Sequence, residues 1–532
     1  MRDSMTQRLL LFSGVVLLLL ILKYCWTLVA FPGVPFGYDA GIYRFLFIRE
    51  AHGWPPFLTP DLPEWAKSHA PGLFFFTSPF VMLGLSPDWL IGWLWNLFPV
   101  AIALSLAFVV RRRYGDLAGF FVLLCALVSV VQYQGFLMLY MKVFVAFLFC
   151  LLAFDAYERR SRWWVALGMM TIAVHQQIGL VFALAVCSSM VFTSLVGPDR
   201  PTLRDWTQYV ATILLGAAWY LPTYQRSLQD VLPEVMHSGT VVLLVVALLA
   251  IALFAALIVM LPERGRRAAW TVCIVLVAIV AIAFPLISDA PEFVTRYLAS
   301  RADTVSGSFL GVSEYLFLSW PLLLLGIAGL VFSAEKERGT PSQWAVIWCA
   351  VAVIGMFFFY RRFILPLDFF LLPFAARAAA ALWRSMQGRI VVSALLLVQG
   401  VFLLQQIQSA DPHVKRPWLQ QFGALSAHVP SGSTIVVLDN MAPWVLGYLP
   451  NTNVSGPGIF DSRPYAEWEK FLLGSEAERR SFISGYPAGT FFYASPVFMQ
   501  YYTPDIQSVL RHPCLTPAGS EGLYRSVCGP NA

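Results

Sequence analysis

Apolar residues in this chain arrive in long, unbroken runs rather than in stripes along one face. They fall at 9–30, 89–110, 117–131, 139–154, 164–172, 178–192, 209–221, 241–261, 270–287, 315–332, 344–359, 363–382 and 390–404. A helix needs about 20 apolar residues to cross the hydrocarbon core of a bilayer. The pattern therefore predicts a polytopic α-helical membrane protein of about 13 spans, several of them short. The runs on either side of His175 are the test of that count, since they read either as two short spans or as one long helix.

Charge decides between the two. With two spans, the basic linkers at 111–113, 157–162, 200–204, 263–267, 336–338 and 384–389 all lie on the side of the N-terminus. With one, the later linkers change sides and break the positive-inside pattern. Two spans put the N-terminus in the cytoplasm. They put outside the first loop (31–88), the residues near Gln134, His175 and His237, the loop 288–314, Tyr360 to Arg362, and everything after Gln405. The run 9–30 has no small-residue cleavage site behind a short core, so it reads as an uncleaved first span.

Beyond Gln405 the pattern changes. A turn-forming stretch, Pro430-Ser-Gly-Ser433, leads into the β-branched run 434–438; strand-like pieces follow at 490–493 and 523–527, with polar, helix-capable sequence at 465–481 between. This predicts a small extracytoplasmic α/β domain at 410–532 behind a membrane domain at 1–409. Cys514 and Cys528 stand alone in the polar region and are placed as a disulfide if it faces outward. The other six cysteines lie in or beside apolar runs and read as small hydrophobes.

Composition sharpens the membrane reading: 12% of the 532 residues are charged, against roughly 25% in soluble proteins. The net charge of +6 is dispersed among the linkers, which leaves no basic patch for nucleic acid. Within the first outer loop, Phe31-Pro-Gly-Val-Pro-Phe-Gly-Tyr-Asp-Ala-Gly holds Asp39 in a glycine- and proline-shaped turn where the first span meets water. An acid fixed there is a candidate general base; capping the helix that begins near Gly41 is its structural alternative. Residues 43–50 mix apolar and basic side chains as an interfacial amphipathic helix does.

Three local motifs, taken in order, resemble the GT-C superfamily of membrane glycosyltransferases. More narrowly, they resemble its polyprenyl-phosphate-sugar-dependent enzymes related to protein mannosyltransferases and aminoarabinose transferases. Gly37-Tyr-Asp-Ala-Gly-Ile-Tyr43 is similar to the family's Asp-Glu-x-x-Tyr element, His69-Ala-Pro-Gly-Leu73 to its Lys-Pro-Pro-Leu element, and Tyr360-Arg-Arg-Phe-Ile-Leu-Pro366 to its Arg-x-x-Leu-Pro segment. Ala40 stands where a second acid often sits, and His69 where a lysine often sits.

The resemblance implies transfer of a sugar, with inversion, from a polyprenyl-phosphate donor to a glycan, lipid or protein acceptor on the outer face of the cell or plasma membrane. Asp39 would be the base. Arg361, Arg362, Lys67, His69 and Lys142 would hold the donor phosphate, arginine through its planar fork of donors. Tyr43, His175 and Gln176 would contact sugar or acceptor. A divalent metal from His52, His69, His237, Asp61, Glu64 or Glu292 lacks any characteristic ligand spacing. Lys23, within the first span, is a further ionisable residue at depth. The alternatives are a secondary transporter, which would show repeated halves, and a non-catalytic lipid-binding or assembly subunit, for which Ala40 is the argument.

Overall fold

The computed structural model describes residues 2–52, 62–67, 69–196, 200–220, 309–334, 339–354, 361–458, 460–461 and 463–529. The expected spans 241–261 and 270–287, with His237, Asp61, Glu292 and most of the loop 288–314, lie outside the described residues.

Up to Gln408 the described chain is built of helices. Helix α1 (Arg2–Ala30) turns leucines such as Leu11, Leu18 and Leu22 outward and buries Val16, Leu20 and Tyr24. After it come α2 (Ala40–His52), the single turn α3 (Glu64–Lys67), α4 (Gly72–Met82) and α5 (Pro87–Tyr114), which contains a π-turn at Leu90–Leu94. Next are α6 (Asp116–Val128), α7 (Val130–Leu137), α8 (Met141–Glu158), α9 (Trp163–Val174), α10 (Gln176–Val196) and α11 (Leu203–Ala218). Beyond the undescribed stretch lie α12 (Val312–Ala334), α13 (Pro341–Ile354), α14 (Arg361–Leu382) and α15 (Met386–Gln408).

Among the described residues, six helices are long and apolar enough to cross a membrane, or seven if α6 and α7, bent by 52°, form one span. The expected count of thirteen is not reached there for physical reasons. Two runs are undescribed. The run 117–131 breaks at Ser129, whose hydroxyl accepts from Gln132 N–H and starts a new helix. Helices α9 and α13, at 12 and 14 residues, are about 18 and 21 Å long against a core of about 30 Å. At the far end of the bundle, Arg112 and Arg159 pair with Asp155, and Arg113 pairs with Glu158. The basic linkers 111–113 and 157–162 thus lie side by side.

One expectation is corrected. Helix α2 is not an interfacial helix with a wet face: Tyr43, Phe45, Leu46, Phe47 and Glu50 are buried. It packs between α4 and a helix from near the C-terminus, which sequence periodicity alone does not reveal.

The C-terminal part follows α16 (Arg416–Ala424) and forms a five-stranded sheet. In chain order the strands are β1 (Thr434–Val437), β2 (Asn453–Ser455), β3 (Phe491–Tyr493), β4 (Leu515–Pro517) and β5 (Leu523–Ser526), arranged β2-β1-β3-β5-β4. Strand β1 runs parallel to β2 and β3, and β5 is antiparallel to β3 and β4. Helix α17 (Ala442–Tyr448) connects β1 to β2. The expected helical stretch 465–481 is two helices, α18 (Tyr465–Leu473) and α19 (Glu476–Ser484), parted where Ser475 and Glu478 form a capping box.

Successive residues of β1 face opposite ways. Val436 and Leu438 join Trp468, Phe471 and Phe492 in a core of the sheet's own, while Ile435 and Val437 join the apolar core of the membrane helices. The sheet is thereby mounted on the helical bundle.

Cys514 and Cys528 are bonded beside β4 and β5, at a sequence separation of 14. Closing a loop of this size stabilises by about 3 kcal/mol. Cys528→Ser in the full chain is therefore expected to lower the unfolding temperature of this part, and the same drop should follow reduction of the native protein. A variant that melts with the native protein would show the bond to be dispensable.

Candidate active site

The turn that carries Asp39 is seated by Gly37. This glycine has φ +84°, and a Cβ on it would lie 2.6 Å from Leu139 Cβ and 2.8 Å from the Met138 carbonyl oxygen. The surface it meets is the C-terminal end of α7. There Tyr140 N–H donates to Gly135 O at 3.1 Å and Leu139 N–H to Phe136 O at 3.0 Å, with Leu139 itself left-handed at φ +58°. This is a Schellman motif with leucine where glycine is usual. Lys142 follows in the first turn of α8, so the packing of one turn on the other brings Asp39 and Lys142 together.

Lys142 Nζ lies 2.6 Å from His69 Nδ1 and faces the rings of Phe74 and Tyr43 at 5.6 and 5.9 Å. The Lys142 backbone N–H is directed at the Tyr43 hydroxyl. His69 belongs to the loop between α3 and α4, which is held by a second close approach. A Cβ on Gly72 would lie 2.7–2.8 Å from the backbone of Ala173 and Val174. That contact sets the His69 loop beside the break between α9 and α10, where His175 is extended and its Nδ1 accepts from Ile178 N–H at 3.3 Å. From α14, the charge of Arg362 reaches Asp39, Lys142, His69 and His175.

Among the described residues the Asp39 side chain has no hydrogen-bond partner; its backbone carbonyl accepts from Tyr43 N–H at 2.9 Å. Burial raises the pKa of its carboxyl, and Lys142 and Arg362 pull it back down. Burial, then the charges of Lys142 and Arg362, hold the His69 imidazole well below the usual histidine range, so it is neutral at neutral pH. With Lys142 as an ammonium, its N–H donates to Nδ1 and the His69 proton sits on Nε2, a donor for an incoming oxygen.

The other candidate residues are placed as follows. Arg361 is half-buried beside Arg362 at the start of α14, and the charge felt by Asp39 from this helix is that of Arg362. Lys67 ends α3, its side chain being outside what is described. Gln176 is exposed at the start of α10; its neighbour Gln177 has a buried Oε1 with no partner among the described residues. His52 Nδ1 bonds the Ile48 carbonyl at 2.6 Å, away from the cluster. Lys23 is buried elsewhere in the bundle, against α6 and α7. Among the described residues no group of three His, Cys, Asp or Glu side chains converges as metal ligands.

Sequence reasoning missed Glu50, which is buried and whose charge reaches Lys142. A signal existed: Tyr43, Phe47 and Glu50 recur at helical spacing on one face of α2. Between α4, α5 and α8 lies a cavity of about 220 Å³ with an apolar surface, lined by Leu73, Phe76, Leu94, Met141, Val145 and Phe149 among others.

Asp39, Lys142, Arg362 and the neutral imidazole of His69 thus gather around one turn, with buried Glu50 near Lys142. The chain shares its fold with a solved oligosaccharyltransferase. It is similar to the oligosaccharyltransferase of Archaeoglobus fulgidus, solved in complex with zinc and sulfate, with a TM-score of 0.54 and 12% identity over 97% of this chain and 73% of that one. It is also similar to apo ArnT of Cupriavidus metallidurans, with a TM-score of 0.44 and 14% identity over 98% of each chain. No family model matches the chain, and no curated protein matches it in sequence.

Proposed function

We propose that the protein is an integral-membrane glycosyltransferase that moves a sugar from a polyprenyl-phosphate donor to an acceptor hydroxyl, with Asp39 as general base. The observation that carries the reading is the convergence of Asp39 with the Lys142–His69 pair and Arg362. The acceptor oxygen attacks the anomeric carbon while Asp39 takes its proton. The bond from that carbon to the phosphate oxygen breaks, and its electron pair leaves with the phosphate. Lys142, Arg362 and the Nε2–H of His69 stabilise the charge gathering there. Direct attack on the face opposite the phosphate inverts the anomeric configuration.

The apolar cavity between α4, α5 and α8, bounded by Met141 next to Lys142 in sequence, suits isoprene units of the donor. A divalent cation does not suit the described donor set, because Asp39 is flanked by two cations and Ala40 offers no second oxygen; positive side chains do the work at the phosphate. In this reading residues 1–409 form the catalytic membrane domain. The C-terminal domain, 410–532, faces outward with the first loop, and the N-terminus is cytoplasmic. The acceptor is a glycan, lipid or protein.

The test is the full chain in membranes, supplied with a panel of polyprenyl-phosphate sugars, with free polyprenyl phosphate and the anomeric form of the product as readouts. Release with one donor class and an inverted product is expected; no release with any donor overturns the reading. Arg362→Gln and Lys142→Gln should each lower kcat/KM for the donor about 10- to 100-fold, the worth of one charged hydrogen bond to phosphate. A change below twofold in both would remove them from the phosphate site.

A further inference from the structure

The turn that carries Asp39 is also held by the C-terminal part of the chain. Helix α2 begins one residue after Asp39 and crosses α17 backbone to backbone. A Cβ on Gly41 would lie 2.1 Å from the Pro443 carbonyl oxygen and 2.7 Å from Trp444 Cα; one on Gly447 would lie 2.7 Å from both Cα and O of Gly41. All of these obstacles are main-chain atoms, which cannot swing aside as a side chain does. The crossing is pinned on either side. The Tyr38 hydroxyl donates to the Asn440 carbonyl at 2.8 Å. Arg44 donates to the Gly447 carbonyl, lies over the Tyr448 ring at 4.6 Å and pairs with Asp88 at 2.9 Å.

Helix α17 is itself anchored to the sheet. Asp439, buried just ahead of it, accepts from Met441 N–H at 2.9 Å, Phe498 N–H at 3.1 Å and the Ser495 hydroxyl at 2.5 Å. Asp39 thus hangs from a helix whose first turn is pressed against a hydrogen-bonded platform about 400 residues away in sequence.

We propose that α17 is a positioning clamp for the base: the Gly41–Gly447 crossing sets the height and rotation of the first turn of α2, and through it the place of Asp39 against Lys142. The proposal rests on Asp39 being the base. Gly41 and Gly447 are positioning residues that touch no substrate. The phosphate-binding groups stand on other elements, Lys142 on α8, His69 in the α3–α4 loop and Arg362 on α14. Forcing the crossing apart therefore moves the base, with Tyr43 of the same helix, while the phosphate-binding groups keep their own mountings. A displacement of about 1 Å at the reacting groups lowers rates about 100-fold.

The experiment compares Gly447→Ala and Gly447→Val with Gly423→Ala in the full chain. Gly423 is the control because it lies in the same part of the protein and its Cβ would find its nearest neighbour at 3.9 Å. Expected are a fall in kcat of about tenfold for Gly447→Ala and about 100-fold for Gly447→Val, donor KM within twofold of native, and no change for Gly423→Ala. Hydrogen exchange over residues 38–46 should rise with Gly447→Val, a readout independent of any assumed reaction. A folded Gly447→Val with native exchange in that segment, or with kcat within twofold of native, overturns the clamp.

Should Gly447→Val fail to fold, Tyr38→Phe removes one pin without adding an atom. It is expected to lower kcat about 2- to 10-fold with KM unmoved, and an unchanged kcat counts against the clamp. Full activity in Asp39→Asn would instead remove Asp39 as the base, and the exchange measurement would still judge the crossing.

Discussion

Asp39→Asn is expected to lower kcat for sugar transfer about 10²- to 10⁴-fold, the usual contribution of a positioned base, with donor KM nearly unchanged. The amide matches the carboxylate in shape but cannot accept a proton from the acceptor hydroxyl. Two further signs separate this from mere disturbance of the site. The first is the pH profile. Burial raises the Asp39 pKa more than Lys142 and Arg362 lower it, so the native rate should fall with decreasing pH above the ordinary carboxylate range of about 4. That limb should vanish from the residual rate of Asp39→Asn.

The second sign is stability. A carboxyl whose pKa is higher in the folded protein than in the unfolded chain favours folding when protonated. That benefit is lost as pH rises through the raised value. Where the carboxyl is ionised, the native protein carries a half-buried charge that the neutral amide of Asp39→Asn removes, so at neutral pH the variant should be at least as stable as the native protein. Near pH 3 the two should converge. Thermal unfolding at both pH values checks the sign; a variant less stable at neutral pH would mean that Asp39 serves structure first.

The site was legible where its residues announce themselves in the first loop and at helix ends. Asp39 stands in a turn spelled by prolines and glycines, His69 precedes another, and Arg362 opens a long apolar helix. Their meeting was not legible, because it depends on backbone approaches between distant segments. Gly37 against Met138–Leu139, Gly72 against Ala173–Val174 and Gly41 against Gly447 each look like ordinary loop or helix glycines until the partner is known. The same reason explains α2. Its basic and apolar residues read as an interfacial helix, because the helix that covers it lies about 400 residues later. Nothing in the apolar run 117–131 signals its break by proline, and only Ser129 marks the restart. The small sheet was partly legible: β1, β3 and β5 showed as β-branched or aromatic pieces, while β2 (Asn453-Val-Ser455) and β4 (Leu515-Thr-Pro517) carry asparagine, serine or proline, which read as turn or edge residues.

Lys23→Met is expected to destabilise the protein by about 3–5 kcal/mol, because two buried carbonyls lose a charged donor and a buried carboxyl nearby loses its counter-charge. Lys23 is buried, and its ammonium donates to the carbonyls of Ala126 and Ser129, each at 3.0 Å. These carbonyls flank the bend between α6 and α7, where the helical ladder is interrupted. In a bilayer there is no water to satisfy them. On the other side of the bend, Asp368 of α14 accepts from the Ser129 hydroxyl at 2.9 Å and from Gln132 Nε2 at 3.1 Å, and its charge reaches Lys23. Methionine matches the length of lysine but leaves two carbonyls bare and Asp368 without its counter-charge. Removing the second charge as well should recover part of the loss, so Lys23→Met with Asp368→Leu should be less destabilised than the sum of the single variants. The network also bears on the site, because Asp368 lies on the same helix as Arg362, fewer than two turns away. Lys23→Met should therefore raise donor KM, whereas Asp39→Asn should not. If Lys23 instead only reached for the membrane surface, its replacement would change stability by less than about 1 kcal/mol, and donor KM would not move.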